Sequence, residues 1–310
     1  MTRKVVNIDT ARRDSESDKA SNLPISVVMV SYMTGPALLE AIQAVLQDED
    51  IFELIVVDNG NTQSARAGLS SFIKNHDRIR FLQGHGNIGF SRGCNYGAQL
   101  ASGHYILFLN PDAIISEGSA RALAKAGQGL NTPWVTGGML RNIHGQEQRG
   151  ARRGALTPYS AFLGFTGLNK IFKKKSIHQE NEPMPSGPVK IQTISGACLM
   201  VDRPSFDALG GFDEGYFLHV EDIDICRRAR LAGGDVCFVP QASAMHYGST
   251  SKVPRLKVEK EKLKGFLRYF WHYKPGLMPK VLTVLAAPFM AFAILGRAVF
   301  TTLRQGIFGR

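Results

Sequence analysis

The chain has 310 residues, of which 44% are hydrophobic and 20% are charged, so it can bury one large core or two modest ones as an ordinary globular protein does. Its formal charge of +11 suits binding to a nucleic acid, an anionic membrane surface or a phosphorylated substrate. The sequence lacks the spacing of basic and aromatic residues that is typical of nucleic-acid-binding motifs, which argues against a nucleic acid. The four cysteines form no CxxC pair, which argues for reduced thiols and against a zinc site.

Strand-like and helix-like patterns alternate through the first third of the chain. Residues 1–22 are polar and lack the apolar stretch of a secretory signal, so they are expected to form a disordered cytosolic tail. Runs of β-branched and apolar residues then predict strands at residues 25–32, 54–57 and 79–82. Helical spacing predicts helices between them, at residues 37–46 and 65–74. This alternation predicts a mostly parallel sheet covered on both faces.

The segment after the third predicted strand contains the pattern Gly84-x-Gly86-x-x-Gly89. An acid, Asp112, lies about 20 residues further on, much as a dinucleotide-binding fingerprint requires. The pattern therefore supplies one alternative, a nicotinamide- or flavin-dependent oxidoreductase. Two points count against it. The motif follows the third strand, although in the dinucleotide fold it follows the first, and Pro111 directs the chain out of the strand just before Asp112.

Carboxylates follow apolar runs at two strand ends and crowd the start of a later helix. Asp58 ends one apolar run and Asp112 follows another, and strand ends line the ligand crevice of an open α/β sheet. Residues 221–224, Glu-Asp-Ile-Asp, begin a helical pattern that the glycines at 233–234 close. Acidic residues there also cap a helix and suit its dipole. Three acidic sites at element ends indicate one polar cleft.

The pattern weakens between residues 134 and 190. A strand is expected at residues 135–139, followed by a basic stretch and a lysine run at 173–175. Such an insertion is either a solvated loop or a lid or acceptor-binding loop beside an active site. Small residues at 195–197, Ser-Gly-Ala, permit a close approach to a ligand.

The C-terminal part of the chain, residues 256–310, is basic and apolar. Residues 262–273 are amphipathic, and the uncharged run at 281–296 is interrupted by Pro288 and has basic flanks. That run is short of the about 20 residues that span a bilayer, so an interfacial or re-entrant helix on an anionic leaflet is favoured. A full span over residues 277–303 and a buried soluble helix remain alternatives.

Motifs in a fixed order over residues 24–255 resemble the inverting glycosyltransferases of family 2, which have the GT-A fold. The closest resemblance is to the rhamnosyltransferase-like branch, which builds bacterial cell-surface polysaccharides. The motifs are Val28-Met29-Val30-Ser31-Tyr32, Val56-Val57-Asp58-Asn59, Asn87-Ile88-Gly89-Phe90 with Gly93 and Asn95, Leu109-Asn110-Pro111-Asp112, Ser195-Gly196-Ala197, Gly210-Gly211-Phe212-Asp213, Glu221-Asp222-Ile223-Asp224 with Arg227, and His246. The resemblance implies an α/β GT-A domain at residues 23–255 with a mostly parallel central sheet and flanking helices, before a membrane-associated helical segment.

The resemblance further implies a pocket for a nucleotide sugar. Asp58 corresponds to the carboxylate that accepts the imide N–H of the nucleobase, since a charged acceptor suits that donor. Asn87, Gly89 and Asn95 would line the pocket. The family motif begins at Asn87, so the two glycines before it need not matter.

A divalent metal is also implied, Mn²⁺ or Mg²⁺. Asp112 occupies the last position of the family's DxD-like metal motif, whose first position here is Asn110, as in the Asn-Pro-Asp variants of this branch. His246 corresponds to a histidine that completes the coordination in some members, although a lone histidine is also commonly a packed or surface residue. Because Mg²⁺ prefers oxygen ligands and Mn²⁺ tolerates imidazole, His246 favours Mn²⁺.

The family's Glu-Asp motif assigns the catalytic residues. Asp222 matches the base that deprotonates the acceptor hydroxyl, which then displaces the nucleoside diphosphate in one step with inversion. Glu221 would position the acceptor. Arg227 would bind diphosphate, or hold the helix by pairing with Asp224 at i,i+3.

The resulting hypothesis is an enzyme that adds a sugar, with L-rhamnose a candidate, to a lipid-linked saccharide in cell-surface polysaccharide synthesis. Its partners would be a nucleotide-sugar donor, a lipid-linked or saccharide acceptor and the cytoplasmic membrane surface, without nucleic acid. It would sit at the cytoplasmic face of the membrane, peripherally or by one C-terminal helix. Two alternatives remain: the oxidoreductase using residues 84–89, and a non-catalytic, membrane-bound nucleotide-binding subunit.

Overall fold

The computed structural model describes residues 24–166, 176–248, 250–251, 253–273 and 275–308, without the side chains of residues 162, 165, 166 and 297–308. The tail expected at residues 1–22 and the lysine run at 173–175 lie outside these ranges. In the described part the strands are β1 (Ile25–Ser31), β2 (Ile51–Asp58), β3 (Ile79–Leu82), β4 (Tyr105–Leu109), β5 (Ala113–Ile115), β6 (Val135–Arg141), β7 (Arg152–Arg153), β8 (Val189–Lys190), β9 (Thr193–Ile194), β10 (Cys198–Asp202) and β11 (Val236–His246). The helices are α1 (Ala37–Gln47), α2 (Gln63–Ile73), α3 (Phe90–Leu100), α4 (Ser119–Gly127), α5 (Pro158–Thr166), α6 (Arg203–Leu209), α7 (Glu221–Leu231), α8 (Arg255–Trp271) and α9 (Leu277–Phe308).

Most of these strands form one mixed sheet, in the order β3-β2-β1-β4-β10-β6-β11-β5, with β8 paired to β11. β1 runs parallel to β2 and β4, and β2 runs parallel to β3. Beyond β4, β10 runs antiparallel to both its neighbours, while β6 and β11 are parallel. The α/β class predicted from the sequence is confirmed, with the purely parallel pairing concentrated in the first third of the chain.

Helices cover both faces of the sheet because the central strands are apolar on both sides. In β1, Val27 and Met29 pack with α1 and α4 on one face, whereas Val28 and Val30 pack with α3, α6 and α7 on the other. Since β1, β2 and β4 are parallel, their carboxyl ends open at the same edge of the sheet. That edge is where a ligand crevice is expected in such folds.

The C-terminal helices α8 and α9 pack against each other and against the loop before α7. Tyr216 and Val220 of that loop share an apolar cluster with Tyr269 and Phe270 of α8 and with Met290 of α9. Residues 277–296 have a mean hydropathy of 1.8, and only 17% of the window is buried. By length and composition this helix could cross a membrane, because it continues through Pro288 and exceeds the uncharged run seen in the sequence.

Candidate active site

A cavity of about 730 Å³ opens where β1 and β4 end and α7 begins. It is of the size that accommodates small-molecule ligands. Its lining includes six residues singled out in the sequence: Asn87, Gly89, Asp112, Glu221, Asp222 and His246. Asp58, Asn95 and Arg227 are not among the lining residues.

Asp58 is buried at the end of β2, where it organises the turn that follows. Its Oδ1 accepts hydrogen bonds from the backbone N–H of Asn61 at 2.8 Å and from the Asn61 side-chain Nδ2 at 2.7 Å. Its Oδ2 lies 3.5 Å from Nε of Arg66. The next residue, Asn59, does line the cavity. A nucleobase contact at Asp58 therefore stays a prediction.

Amide side chains fix the 87–89 loop against the end of β2. Asn59 Nδ2 donates to Asn87 Oδ1 and to the Gly89 carbonyl, each at 3.1 Å, and Asn59 Oδ1 accepts the Ile88 N–H at 3.0 Å. Asn87 Oδ1 also accepts the Gly89 N–H at 3.0 Å. This network explains why Asn59 and Asn87 occur at the rim of one cavity although 28 residues separate them in the chain.

Gly89 precedes α3 at a φ of 89° and lies directly against Phe217. A methyl group there would lie 2.8 Å from Phe217 Cδ2 and 2.9 Å from the Phe217 carbonyl. We expect Gly89→Ala to lower the free energy of unfolding by about 2–6 kcal/mol, because a side chain at this backbone conformation and an overpacked contact each cost about 1–3 kcal/mol. Gly84→Ala is the control: its φ is 97°, and a methyl group added there would have no neighbouring atom within 4 Å, so only the backbone cost applies. Equal losses in denaturant titrations would contradict this account.

Asp112, which follows β4, is buried beside the end of β11. Its Oδ1 lies 3.1 Å from Nε2 of His246, and its Oδ2 accepts a hydrogen bond from the Thr250 hydroxyl at 2.9 Å. Burial alone would raise the pKa of Asp112, but the His246 ring and the Thr250 hydroxyl together hold it below its ordinary value. The structure thus brings the two predicted metal ligands into contact.

The Asp112–His246 pair has the chemistry that a divalent metal needs. Nδ1 of His246 lies 2.6 Å from Gln148 Oε1, so a proton on Nδ1 leaves Nε2 facing Asp112 Oδ1. In that tautomer the lone pair of Nε2 and the Asp112 carboxylate face each other, and both are groups that bind a metal cation. A second hydrogen bond of this kind commonly orients a metal-binding histidine. In the described ranges no three His, Cys, Asp or Glu side chains are placed so that they could hold a metal ion together, so other ligands would be substrate oxygens or water.

Asp222, at the start of α7, is tied down by two partners outside its helix. Its Oδ2 accepts a hydrogen bond from Arg153 Nη2 at 2.5 Å and one from the Gly196 N–H at 3.1 Å. A methyl group on Gly196 would lie 3.2 Å from Cβ of Asp222. The small residues at 195–197 were expected to permit a close approach to a ligand, and here the close approach is to Asp222.

Glu221 differs from its neighbour because no described cation is in contact with it. It is 7% exposed, its Oε2 is buried without a hydrogen-bond partner, and it lines the cavity. Burial and the adjacent Asp222 raise the pKa of Glu221 well above its ordinary value, which favours its neutral form. The preceding residues, His219 and Val220, have φ of 68° and 76°. Left-handed backbone at non-glycine residues is strained and is typical of functional sites.

Asn95 supports the 211–214 loop instead of facing the cavity. Its Nδ2 donates to the Phe212 carbonyl at 2.9 Å, and its Oδ1 accepts the Phe212 N–H at 2.9 Å. This two-way bond fixes the loop that leads to the acidic helix. Both polar atoms of the Asn95 amide are thus used in hydrogen bonds to the backbone of Phe212.

Arg227 contacts the segment that joins α8 to α9. Its guanidinium donates to the Tyr273 carbonyl and lies 4.9 Å from the centre of the Tyr273 ring. The ion pair with Asp224 that was considered for Arg227 is made by Arg228, at 2.7 Å. Arg228 follows Asp224 at i,i+4, where helical side chains also meet.

Three polar residues around the site were not singled out in the sequence: Arg153, Gln148 and Thr250. They contact Asp222, His246 and Asp112 across 69, 98 and 138 residues of chain. Arg153 and Gln148 lie in the stretch where the periodic pattern is weak. The only available signal was the cluster of basic residues there, which does not distinguish a solvated loop from a partner of an acid.

Residues 26–210 match the family model described as Glycosyl transferase family 2. The matched range includes Asp58, Asn87, Gly89, Asn95 and Asp112. It ends before the acidic helix α7.

Among curated proteins, the chain is 25% identical over 246 residues to the N-acetylglucosaminyl-diphospho-decaprenol L-rhamnosyltransferase of Mycobacterium tuberculosis, covering 73% of this chain and 77% of that protein. It is 24% identical over 236 residues to the rhamnosyltransferase WbbL of Escherichia coli, covering 72% and 83%. Unlike the family match, which ends before α7, similarity to these two proteins is spread over most of their length.

Among solved structures, GalNAc-T7 with UDP, GalNAc and Mn²⁺ superposes with a TM-score of 0.56 at 15% identity, over 93% of this chain and 65% of that chain. The mannosyltransferase PcManGT from Pyrobaculum calidifontis, in complex with GDP-Man and Mn²⁺, gives a TM-score of 0.52 at 14% identity, over 91% and 75%. At such identities the likeness shows the fold alone, and the GT-A type of fold expected from the sequence is confirmed.

Proposed function

Since the chain belongs to glycosyl transferase family 2, we propose that it moves a sugar, with L-rhamnose the first candidate, from a nucleoside diphosphate to a lipid-linked saccharide with inversion. Rhamnosyl transfer is what the names of two relatives state, at 25% and 24% identity. The observation that carries the proposal is a single cavity lined both by the Asp112–His246 pair and by the adjacent carboxyls of Glu221 and Asp222.

The donor nucleotide is proposed to lie along the ends of β1 and β2. Asn59 and Asn87 line the cavity there and offer amide groups to a nucleotide. Because Gly89 has no side chain, Phe217 can pack directly against this loop. Asp58 is the proposed acceptor of the nucleobase imide N–H, since a carboxylate is a stronger acceptor than a neutral oxygen. Asn95 and Arg227 act indirectly, through the loops that they hold.

Asp222 is proposed as the general base. Its carboxylate takes the proton of the acceptor hydroxyl, and the oxygen freed in this way attacks the anomeric carbon as the bond from that carbon to the diphosphate oxygen breaks. The bonding electrons leave with the nucleoside diphosphate, so one displacement inverts the anomeric centre. Glu221, as a neutral acid, can donate a hydrogen bond that positions the acceptor sugar.

Asp112 and His246 are proposed to hold Mn²⁺ or Mg²⁺, with the imidazole favouring Mn²⁺. When bound, the ion would supply Lewis-acid neutralisation of the charge on the departing diphosphate. Gln148 fixes the orientation of the His246 ring through Nδ1, and Thr250 fixes the Asp112 carboxylate.

The acceptor is proposed to reach the cavity from a membrane surface at the cytoplasmic face. Arg149 and the α8 residues Arg255 and Lys257 line the cavity, and their charges suit the phosphates of a lipid carrier. Glu259 and Glu261 of α8 also line it, but they are paired with Lys262 and Lys264. The outer side of α9 exposes large apolar side chains, among them Phe289 at 75% and Phe292 at 83%. Basic residues beside an apolar helix are typical of binding to anionic leaflets.

The dinucleotide-dependent alternative has no geometric support. Gly84 and Gly86 have φ of 97° and 68°, and this backbone conformation by itself favours glycine at both positions without a bound dinucleotide. Gly89 is closely approached, but by Phe217 of the same chain.

Nucleotide binding followed by turnover tests the proposal. We expect UDP or dTDP with Mn²⁺ to raise the melting temperature, since a ligand at 100 times its Kd stabilises a protein by about 2.7 kcal/mol, and NAD(P)H and FAD to leave it unchanged. A panel of nucleotide sugars with a membrane-extract acceptor, read by mass spectrometry, should then give one glycosylated lipid product. Stabilisation by a dinucleotide, or no transfer from any nucleotide sugar, would contradict the proposal.

A further inference from the structure

The ion pair between Arg153 and Asp222 joins the irregular middle segment to the acidic helix. Arg153 lies in β7, which pairs with β9, and its Nη2 donates both to Asp222 Oδ2 at 2.5 Å and to the Ile194 carbonyl at 2.9 Å. The side chains of Arg153 and Asp222 are only 13% and 15% exposed. At such burial, solvent and salt screen the attraction weakly.

The two carboxylate oxygens of Asp222 have different hydrogen-bond donors. Oδ2 accepts from Arg153 and from the Gly196 N–H, whereas Oδ1 accepts, among the described residues, the N–H of Ile223 alone, at 2.8 Å and from its own helix. A carboxylate with one oxygen held by two donors from another part of the fold has a fixed orientation. Oδ1 therefore keeps a lone pair for an incoming proton, and Asp222 lines the cavity.

We propose that Arg153 is a positioning residue for the general base: it holds the Asp222 carboxylate by Oδ2, so that Oδ1 receives the proton of the acceptor hydroxyl. This inference rests on the proposed glycosyl transfer. A guanidinium suits the task because it stays charged and donates several hydrogen bonds in a fixed plane. The Nε of Arg153 is buried without a hydrogen-bond partner, so the side chain is held there at some cost.

Other ionisable groups also face this corner of the cavity. On α7 itself they are Glu221 and Cys226, each of which Asp222 influences. His219 of the preceding loop is influenced by Lys262 of α8 as well as by Asp222 and Arg153. His178 lies near Arg149, Arg153 and Lys262. Burial lowers the pKa of both His178 and His219 to about 4, so Arg153 rather than a histidine supplies the positive charge beside the base near neutral pH.

The test compares kcat and KM of Arg153→Gln and Arg153→Lys. We expect Arg153→Gln to lower kcat by about 10- to 100-fold, a part of the about 10²–10⁴-fold that a general base contributes, with KM for the nucleotide sugar within about threefold. Arg153→Lys, which keeps a charged donor beside Asp222, should restore most of the rate.

Arg268→Gln is the matched control, since Arg268 makes a two-bond ion pair with Asp213, at 2.9 and 2.8 Å, in the loop before α7. It should leave kcat per folded molecule within about threefold. An Arg153→Gln enzyme that loses melting temperature but keeps its kcat per folded molecule would overturn the proposal. If that variant does not fold, an Arg153→Lys enzyme with kcat lowered by about 10-fold or more would also overturn it, and one that keeps most of the wild-type rate would support it. A wild-type chain without turnover would instead refute glycosyl transfer itself.

Discussion

Asp222→Asn is expected to lower kcat by about 10²- to 10⁴-fold while nucleotide binding stays unchanged. An amide has nearly the shape of the carboxylate and can still accept the Gly196 N–H, but it cannot take a proton from an acceptor hydroxyl. Initial rates with the productive nucleotide sugar measure the first effect. The melting-temperature shift with UDP or dTDP measures the second. Transfer at a near wild-type rate would show that the base is another residue.

Asp224→Asn is the matched control for this substitution. Asp224 lies in the same helical turn, is buried and is paired with Arg228 at 2.7 Å, but it does not line the cavity. Breaking that pair should lower the free energy of unfolding by about 1–3 kcal/mol and leave kcat per folded molecule within about threefold. Equal losses of kcat in both variants would point to a disturbed helix. Loss confined to Asp222→Asn would separate an enzyme from a non-catalytic nucleotide-binding subunit.

The parallel part of the sheet was predictable because its signal is local. Each buried strand reads as a run of apolar residues, and each helix as apolar residues three or four apart. The run at residues 79–82 coincides with β3, and the other early elements differ from prediction by a few residues at their ends. Parallel pairing of these strands then places Asp58 and the residues after β4 at one edge of the sheet.

The partners of the site residues were not predictable because they come from distant, weakly patterned segments. No spacing rule connects Arg153 with Asp222 or Gln148 with His246, since only the folded insertion brings them together. The resemblance to a family supplied the acids but not these contacts. For Asn95 it supplied a position whose side chain the fold uses to hold Phe212. Sequence reasoning thus identified several cavity-lining groups, while the structure alone identified what orients them.

Asp112→Asn is expected to remove the effect of Mn²⁺ on diphosphate binding and to lower kcat by about 10²- to 10³-fold, since metal neutralisation of a leaving group supplies several kcal/mol. The amide cannot match the charge of a carboxylate that His246 and Thr250 keep ionised. The measurement is the melting temperature with UDP or dTDP, with and without Mn²⁺, beside initial rates. A variant that still responds to Mn²⁺ would show that the ion binds elsewhere.

Two neighbouring substitutions separate loss of the metal ligand from loss of local packing. Thr250→Val removes the 2.9 Å hydrogen bond to Asp112 but keeps the carboxylate, so the Mn²⁺ response should persist with kcat within about tenfold. Asn110→Asp should tighten the response, because Asn110 already lies 3.2 Å from Nε2 of His246 and a second carboxylate there adds a charged oxygen donor. A stronger Mn²⁺ response in Asn110→Asp together with a lost response in Asp112→Asn would show that the charges at both positions act on one ion site. A common loss in all three variants would follow from disturbed packing at the end of β11.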